Sequence, residues 1–596
     1  MICRFLPLAC LAAALALSAC DQNGGQNKAA GGASRHAASV PDEPVPQAQL
    51  PRIAIPSHYR LTLTIDPAKD RFSGHAEIDV KFVQSRRAIF IDGLDLHVSK
   101  AAARLANGKM IAAAYSQVDK SGVARLVFAG TVPAGNATLL FDYDAPFGKT
   151  LAGLYKVVDD QIPYAFTQFE NTDARRAFPS FDEPGFKTPF DVTVIAPADS
   201  KVIANTPVVS DTGAGNGMTR WQFEPTKPLP TYLIALAVGP LDIVDGGEIP
   251  ANQYRDHPLH LRGIAAKGKG AKLKYALSLT AGVVTYYEKY FGIGYPFQKL
   301  DTLAVPDFAA GAMENAGAIT YREQLLLMDD NAPLEQKRSS LAVQAHEIAH
   351  QWFGDLVTPA WWDDTWLNES FATWMATKAS QDGRPNQDFS RDTLNASLSV
   401  MRLDELASAR QVHQPVHNAD DIDHAFDDIT YSKGAAILAM FENYLGPDVF
   451  QRGIHAYLTK FANGNATAQD FIGTVARTTS HPEIVASFNS YIDQPNIPLM
   501  TLQSACKDGR VSFAQSVYTP VGQTLAHRTW QVPMCVDGDG SRTCQMAPPP
   551  STQISLGGTC PALLLPNEKG AGYYRFAEDP QGWTALMGGA ARMSPA

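Results

Sequence analysis

Two histidines four positions apart with a glutamate after the first, His346, Glu347 and His350, are the residues of this chain best suited to chemistry. At 3.6 residues per helical turn, positions i and i+4 share a face, so both imidazoles can hold one metal ion. Glu347 then lies beside the open coordination position, where a carboxylate serves as general base. Farther along, Glu369 in Trp366-Leu367-Asn368-Glu369-Ser370 supplies a third ligand from a second helix. Two His, one Glu and a water form the ligand set of catalytic zinc, one ion per chain, whereas a structural site closes with four protein ligands. Such a site performs hydrolysis with a metal-activated water.

The elements that must position these residues can be read from periodicity. Residues 271–290, 337–353 and 368–379 carry helical patterns, and 300–305 reads as a strand. Residues 246–497 are therefore expected to form a mixed domain around the site. Before it, 51–245 alternate polar and apolar residues in short runs such as 59–65 and 75–80, which predicts a large antiparallel β domain. After it, the runs 511–515, 529–533 and 572–576 predict a small β-sandwich over 498–580. The fold class is multidomain α+β.

With 596 residues, several domains and a large core are expected. A hydrophobic content of 45% and a charged content of 18% are those of an ordinary globular protein, and a net charge of −10 argues against a nucleic-acid partner without implying a substrate charge. At the N-terminus, Arg4, an apolar run over 6–17 and Leu17-Ser18-Ala19-Cys20 read as a bacterial secretion signal over 1–20, too short to span a membrane as an ordinary helix. Leu-Ser-Ala-Cys resembles a lipoprotein box, which implies a lipid anchor on Cys20 and a protein held at the periplasmic side of the cell envelope. Residues 21–50, rich in Gly, Ala, Gln and Pro, read as a flexible tether. Four cysteines, Cys506, Cys535, Cys544 and Cys560, fall in one C-terminal segment and read as disulfides of an exported protein. Cys535 and Cys544 flank a turn-rich tip and can bridge a hairpin, which leaves Cys506 with Cys560; a four-Cys zinc site lacks the short paired spacing it would need.

Six stretches together resemble the aminopeptidase N family of zinc metallopeptidases. His346-Glu347-Ile348-Ala349-His350-Gln351-Trp352-Phe353-Gly354-Asp355 matches its zinc-helix motif, and Trp366-Leu367-Asn368-Glu369-Ser370-Phe371-Ala372 its third-ligand motif, with Ser370 where Gly is usual. Gly311-Ala312-Met313-Glu314-Asn315 matches its exopeptidase signature, and Tyr431-Ser432-Lys433-Gly434-Ala435 the segment with its catalytic tyrosine. Thr167-Gln168-Phe169-Glu170 and residues 175–184 match its N-terminal domain. The resemblance implies a thermolysin-like catalytic domain, Glu347 and Tyr431 as catalytic residues, and His346, His350 and Glu369 as zinc ligands. It also assigns Gln168, Glu170, Gly311, Ala312, Met313, Glu314 and Asn315 to the substrate, a peptide with a free N-terminus. Gly311 and Ala312 are expected to pair with it as a short added strand. Asp355 and Asn368 are candidates for orienting the ligand histidines.

Relatives usually continue into an all-helical domain that roofs the site, whereas 581–596 begin a helical pattern and stop. A fragment or a shortened protein, with a more open site and weakened activity and stability, is the expectation. Two other readings keep part of the pattern. A thermolysin-like endopeptidase needs His346, Glu347, His350 and Glu369 but not Gln168, Glu170 or Glu314; a non-catalytic peptide-binding relative needs neither base nor Tyr431.

Overall fold

In the computed structural model, residues 43–590 and 593 are described. The secretion signal, Cys20 and most of the tether lie outside them, as do the last three residues. The tether ends sooner than expected. Leu50 is buried, its backbone N–H donates to Glu183 Oε1, and Glu43 pairs with Arg86, so 43–50 pack onto the β domain.

Alternation of side chains is what builds the N-terminal region. In the strand Ala54–Thr64 the apolar residues Tyr59, Leu61 and Leu63 point inward at 1–2% exposure, and Arg60 and Thr62 face out. That strand lies in a ten-stranded sheet beside Arg71–Phe82. A second sheet of four strands includes Ile162–Gln168, whose end carries Gln168 toward the site. The large sheet is not purely antiparallel: Ala54–Thr64 also pairs in parallel with Phe190–Pro197, because the chain returns to its free edge after crossing the other strands.

The expected boundary at 245/246 falls inside a strand, Leu241–Ile249, and is corrected by its partners. This strand pairs with Leu259–Ala266 and so belongs to the five-stranded sheet of the middle domain, in the order Leu241–Ile249, Leu259–Ala266, Lys299–Val305, Ala318–Arg322 and Ala312–Met313. Lys299–Val305 is buried along its whole length, as a parallel strand covered on both faces must be. Ala312–Met313 is the edge strand, which leaves one side free for pairing.

The helices Lys274–Phe291, Leu334–His350 and Trp366–Gly383 pack together behind this sheet. Aromatic rings lock them: Phe353 stacks on Phe371 with centroids 4.2 Å apart, and Trp352 and Trp366 are fully buried. The next helices surround them, and a π-helical turn, Ile429–Lys433, precedes the helix Gly434–Leu445.

The C-terminal β region forms a four-stranded and a three-stranded sheet. Its strands are shorter than the sequence suggests: from 529–533 only Val532 and Pro533 join a strand, and from 572–576 only Arg575 and Phe576. Tyr573 and Tyr574 serve as buried anchors instead, hydrogen-bonded to Asp404 and to the Pro566 carbonyl. Cys535 is joined to Cys544, directly opposite it on a hairpin, and Cys506 to Cys560. A short helix, Pro580–Gly589, follows. No helix among the described residues is long and apolar enough to cross a membrane.

Candidate metal centre and active site

The helix Leu334–His350 ends at His350 and presents His346 and His350 toward the helix that carries Glu369. His346 Nε2 lies 3.2 Å from Glu369 Oε2 and 3.0 Å from His350 Nε2, and His350 Nε2 lies 3.4 Å from Glu369 Oε2. Tetrahedral zinc with bonds of about 2.0–2.1 Å sets its ligands about 3.3 Å apart, so the spacing fits this ion. The donor chemistry fits as well. His350 Nδ1 is 2.9 Å from the Phe353 carbonyl, an acceptor only, so Nδ1 carries the proton and Nε2 presents a lone pair to the centre. Burial lowers the pKa of His346, which keeps its imidazole neutral and able to ligate.

The groups that orient the histidines are not the ones expected. The Phe353 carbonyl holds His350, and Thr373 Oγ1 stands 3.5 Å from His346 Nδ1. Asp355 instead accepts from Gln351 Nε2 at 2.9 Å, and Asn368 donates to the Tyr232 hydroxyl at 3.3 Å. The loop after His350 turns back on itself, with the Asp355 N–H on the His350 carbonyl, and this turn aims the Asp355 carboxylate at Gln351. Lys187 of the β domain donates to the Asp355 and Leu356 carbonyls at 2.7 and 3.1 Å, and burial pulls its pKa down to about 7.

Around the centre lies a cavity of about 1140 Å³, lined among others by Gln168, Glu170, Glu314, Glu347 and Tyr431. Glu347 is 6% exposed; burial, then Glu314 and Glu369, push its carboxyl well above the usual range despite the opposing His350. A carboxylate raised in this way takes a proton from water more readily than an ordinary one. The Tyr431 ring stacks over His346 at 6.0 Å, and burial and the surrounding carboxylates raise its hydroxyl well above the usual value, so it remains a donor.

Gln168 Oε1 and Glu314 Oε1 are buried and accept no hydrogen bond within the protein. Such acceptors await a donor from outside. Burial, then Glu314 and Glu369, raise Glu170, so this corner of the cavity is rich in acceptors with too little positive charge nearby.

The edge strand Ala312–Met313 and the residues after it divide by face. Ala312 and Glu314 line the cavity, whereas Met313 is 1% exposed in the core and Asn315 donates to Thr320 Oγ1. Alternation sends these two side chains away from the cavity. The Gly311 carbonyl already accepts from Arg322 N–H, which leaves the backbone groups of Ala312 pointing out at the free edge. Gln351, which has no sequence signal beyond following His350, ties this strand to the metal helix: its amide donates to the Glu314 carbonyl at 2.7 Å and accepts from Gly317 N–H at 3.1 Å.

Two family models match the chain, a Peptidase M1 N-terminal domain over residues 55–233 and a Peptidase family M1 domain over 275–491. The chain belongs to the M1 peptidase family. The second match contains the His-Glu-His helix and Glu369, and the first contains Gln168 and Glu170. The M1 chain is 35% identical over 441 residues to aminopeptidase M1-D of Oryza sativa subsp. japonica, covering 73% of this chain and 49% of that one. It is 33% identical over 495 residues to leucyl aminopeptidase of Saccharolobus solfataricus, covering 81% and 59%. With aminopeptidase 2, mitochondrial, of Saccharomyces cerevisiae, the figures are 34% over 487 residues, 79% and 49%. The chain thus spans about half the length of the curated relatives it matches.

Proposed function

We propose that this M1 chain is a zinc-dependent aminopeptidase that removes N-terminal residues from peptides. The observation that carries the reading is the placement of Gln168, Glu170 and Glu314 in the same cavity as His346, His350 and Glu369, with acceptors of Gln168 and Glu314 unmet. A free α-ammonium offers the three donors and the charge that this corner lacks. Fixing that ammonium limits cleavage to the first peptide bond. His346, His350 and Glu369 would hold the zinc ion, which when bound polarises the scissile carbonyl and acidifies water. Glu347 takes the proton of the attacking water and delivers it to the leaving amine. The Tyr431 hydroxyl donates a hydrogen bond to the oxyanion of the tetrahedral intermediate. Ala312 aligns the peptide backbone at the sheet edge.

Export is inferred from Arg4, the apolar run over 6–17 and residues 17–20, and a lipid anchor on Cys20 from residues 17–20; the two disulfides fit an oxidising compartment. Palmitate labelling that Cys20→Ala abolishes is the expected outcome, and labelling that survives this change would contradict the anchor.

The exopeptidase reading is tested with alanine anilide and its N-acetyl counterpart. Cleavage of the free-amine compound only is expected. Comparable cleavage of both would favour an endopeptidase.

A further inference from the structure

We infer that Asp423 makes the pocket for the first substrate residue selective for a cationic side chain, arginine above all. The inference rests on the aminopeptidase reading and concerns what lies next to the ammonium anchor. The first side chain leaves the same carbon that bears the ammonium, so its pocket must adjoin Gln168 and Glu170. Asn171 follows Glu170 in the chain, lines the same cavity, and donates from Nδ2 to Asp423 Oδ1 at 2.8 Å. The carboxylate of Asp423 is thereby held at the cavity wall, within reach of a long side chain that starts at the anchor.

Three features fit that side chain. Asp423 is exposed to the cavity and forms no ion pair with another described residue, unlike Asp427, which is taken by Arg410. Phe426, three residues on, lines the cavity with its ring half-buried against Trp362, and a guanidinium can lie on such a face. Gly311 lines the same cavity, and a Cβ added there would meet no atom within 4 Å, so there is room for length. A carboxylate beside an aromatic face rewards charge and planarity together, which favours Arg over Lys and both over neutral chains of equal size.

The test compares arginine anilide with citrulline anilide, which has the same shape without the charge, in the wild-type chain, Asp423→Asn and Asp423→Lys. An exposed pair combined with stacking is worth about a ten-fold preference in kcat/KM. We expect arginine to be favoured about ten-fold by the wild type, the ratio to fall to near one in Asp423→Asn and below one in Asp423→Lys, and the wild-type ratio to shrink at high salt. Cleavage of both compounds with no preference, or with a preference that both variants keep, overturns the role of Asp423 and leaves the aminopeptidase reading standing. No cleavage of any free-amine anilide overturns both.

Discussion

Glu347 and Tyr431 reach the centre from different elements, and each has a separable task. Replacing Glu347 by Gln keeps the shape and removes the base, so turnover should fall by ~10²–10⁴ while the chain still takes up its metal. Loss of metal together with activity would instead place Glu347 among the ligands. Tyr431→Phe removes one oxyanion donor, and steady-state kinetics should show kcat lowered by ~10²–10³ with KM little changed. A change confined to KM would contradict the role given to the hydroxyl. At this scale the grouping of His346 with His350 was legible, because spacing on a helix fixes which side chains share a face, and Glu369 joins them from a second helix. The proposed ammonium anchor was legible only through resemblance, since Gln168 ends a strand of a different sheet and Glu170 lies in the turn after it, far back in the chain. The Phe353 carbonyl was not legible at all: every residue has a carbonyl, and only the turn after His350 aims this one.

The segment before the third-ligand helix is pinned by His413, whose Nδ1 is 2.9 Å from Asp493 and whose Nε2 is 3.8 and 3.7 Å from Asp363 and Asp364. The neighbouring carboxylates of Asp363 and Asp493 raise its pKa to about 10 from an ordinary 6.5. Between these values the folded chain holds a proton that the unfolded chain releases. The stabilisation is therefore complete below pH 6.5 and is lost as pH rises through about 10. Thermal unfolding should show His413→Gln less stable than wild type at pH 6, with the gap closing toward pH 10; a gap that stays constant would contradict this account. Helices of the middle domain read well from sequence because their apolar faces repeat, and Lys274–Phe291 and Trp366–Gly383 lie close to the expected spans. The expected boundary at 245/246 cuts through strand Leu241–Ile249 because an alternating pattern states which face is buried and not which strand lies beside it.

Across the whole molecule, the β regions are fastened to the catalytic domain by buried polar contacts. Lys433, two residues beyond Tyr431, pairs at 2.9 Å with Asp404, and neither is exposed. Asp404 also accepts from Tyr573 of the C-terminal β region and from Asn496 N–H. Asp404→Asn leaves the buried ammonium without its counter-charge, and denaturant unfolding should show a loss of about 3–5 kcal/mol. Pairing it with Lys433→Met should recover part of that loss, whereas strictly additive losses would mean that the two residues act independently. On the other side, Lys187 carries the N-terminal β domain onto the loop after His350. Sequence shows the existence of these three regions through changes of period; it does not show the contacts between them, which depend on single polar residues with no pattern of their own. The proposed activity depends on a hydrolytic zinc centre held by His346, His350 and Glu369. The most direct test strips the purified chain with a chelator, restores one equivalent of zinc, and follows alanine-anilide hydrolysis alongside Glu347→Gln. Activity lost on stripping, regained with zinc, and absent from a zinc-loaded Glu347→Gln is the predicted result. Cleavage that persists in the metal-free chain, or in Glu347→Gln, would contradict it.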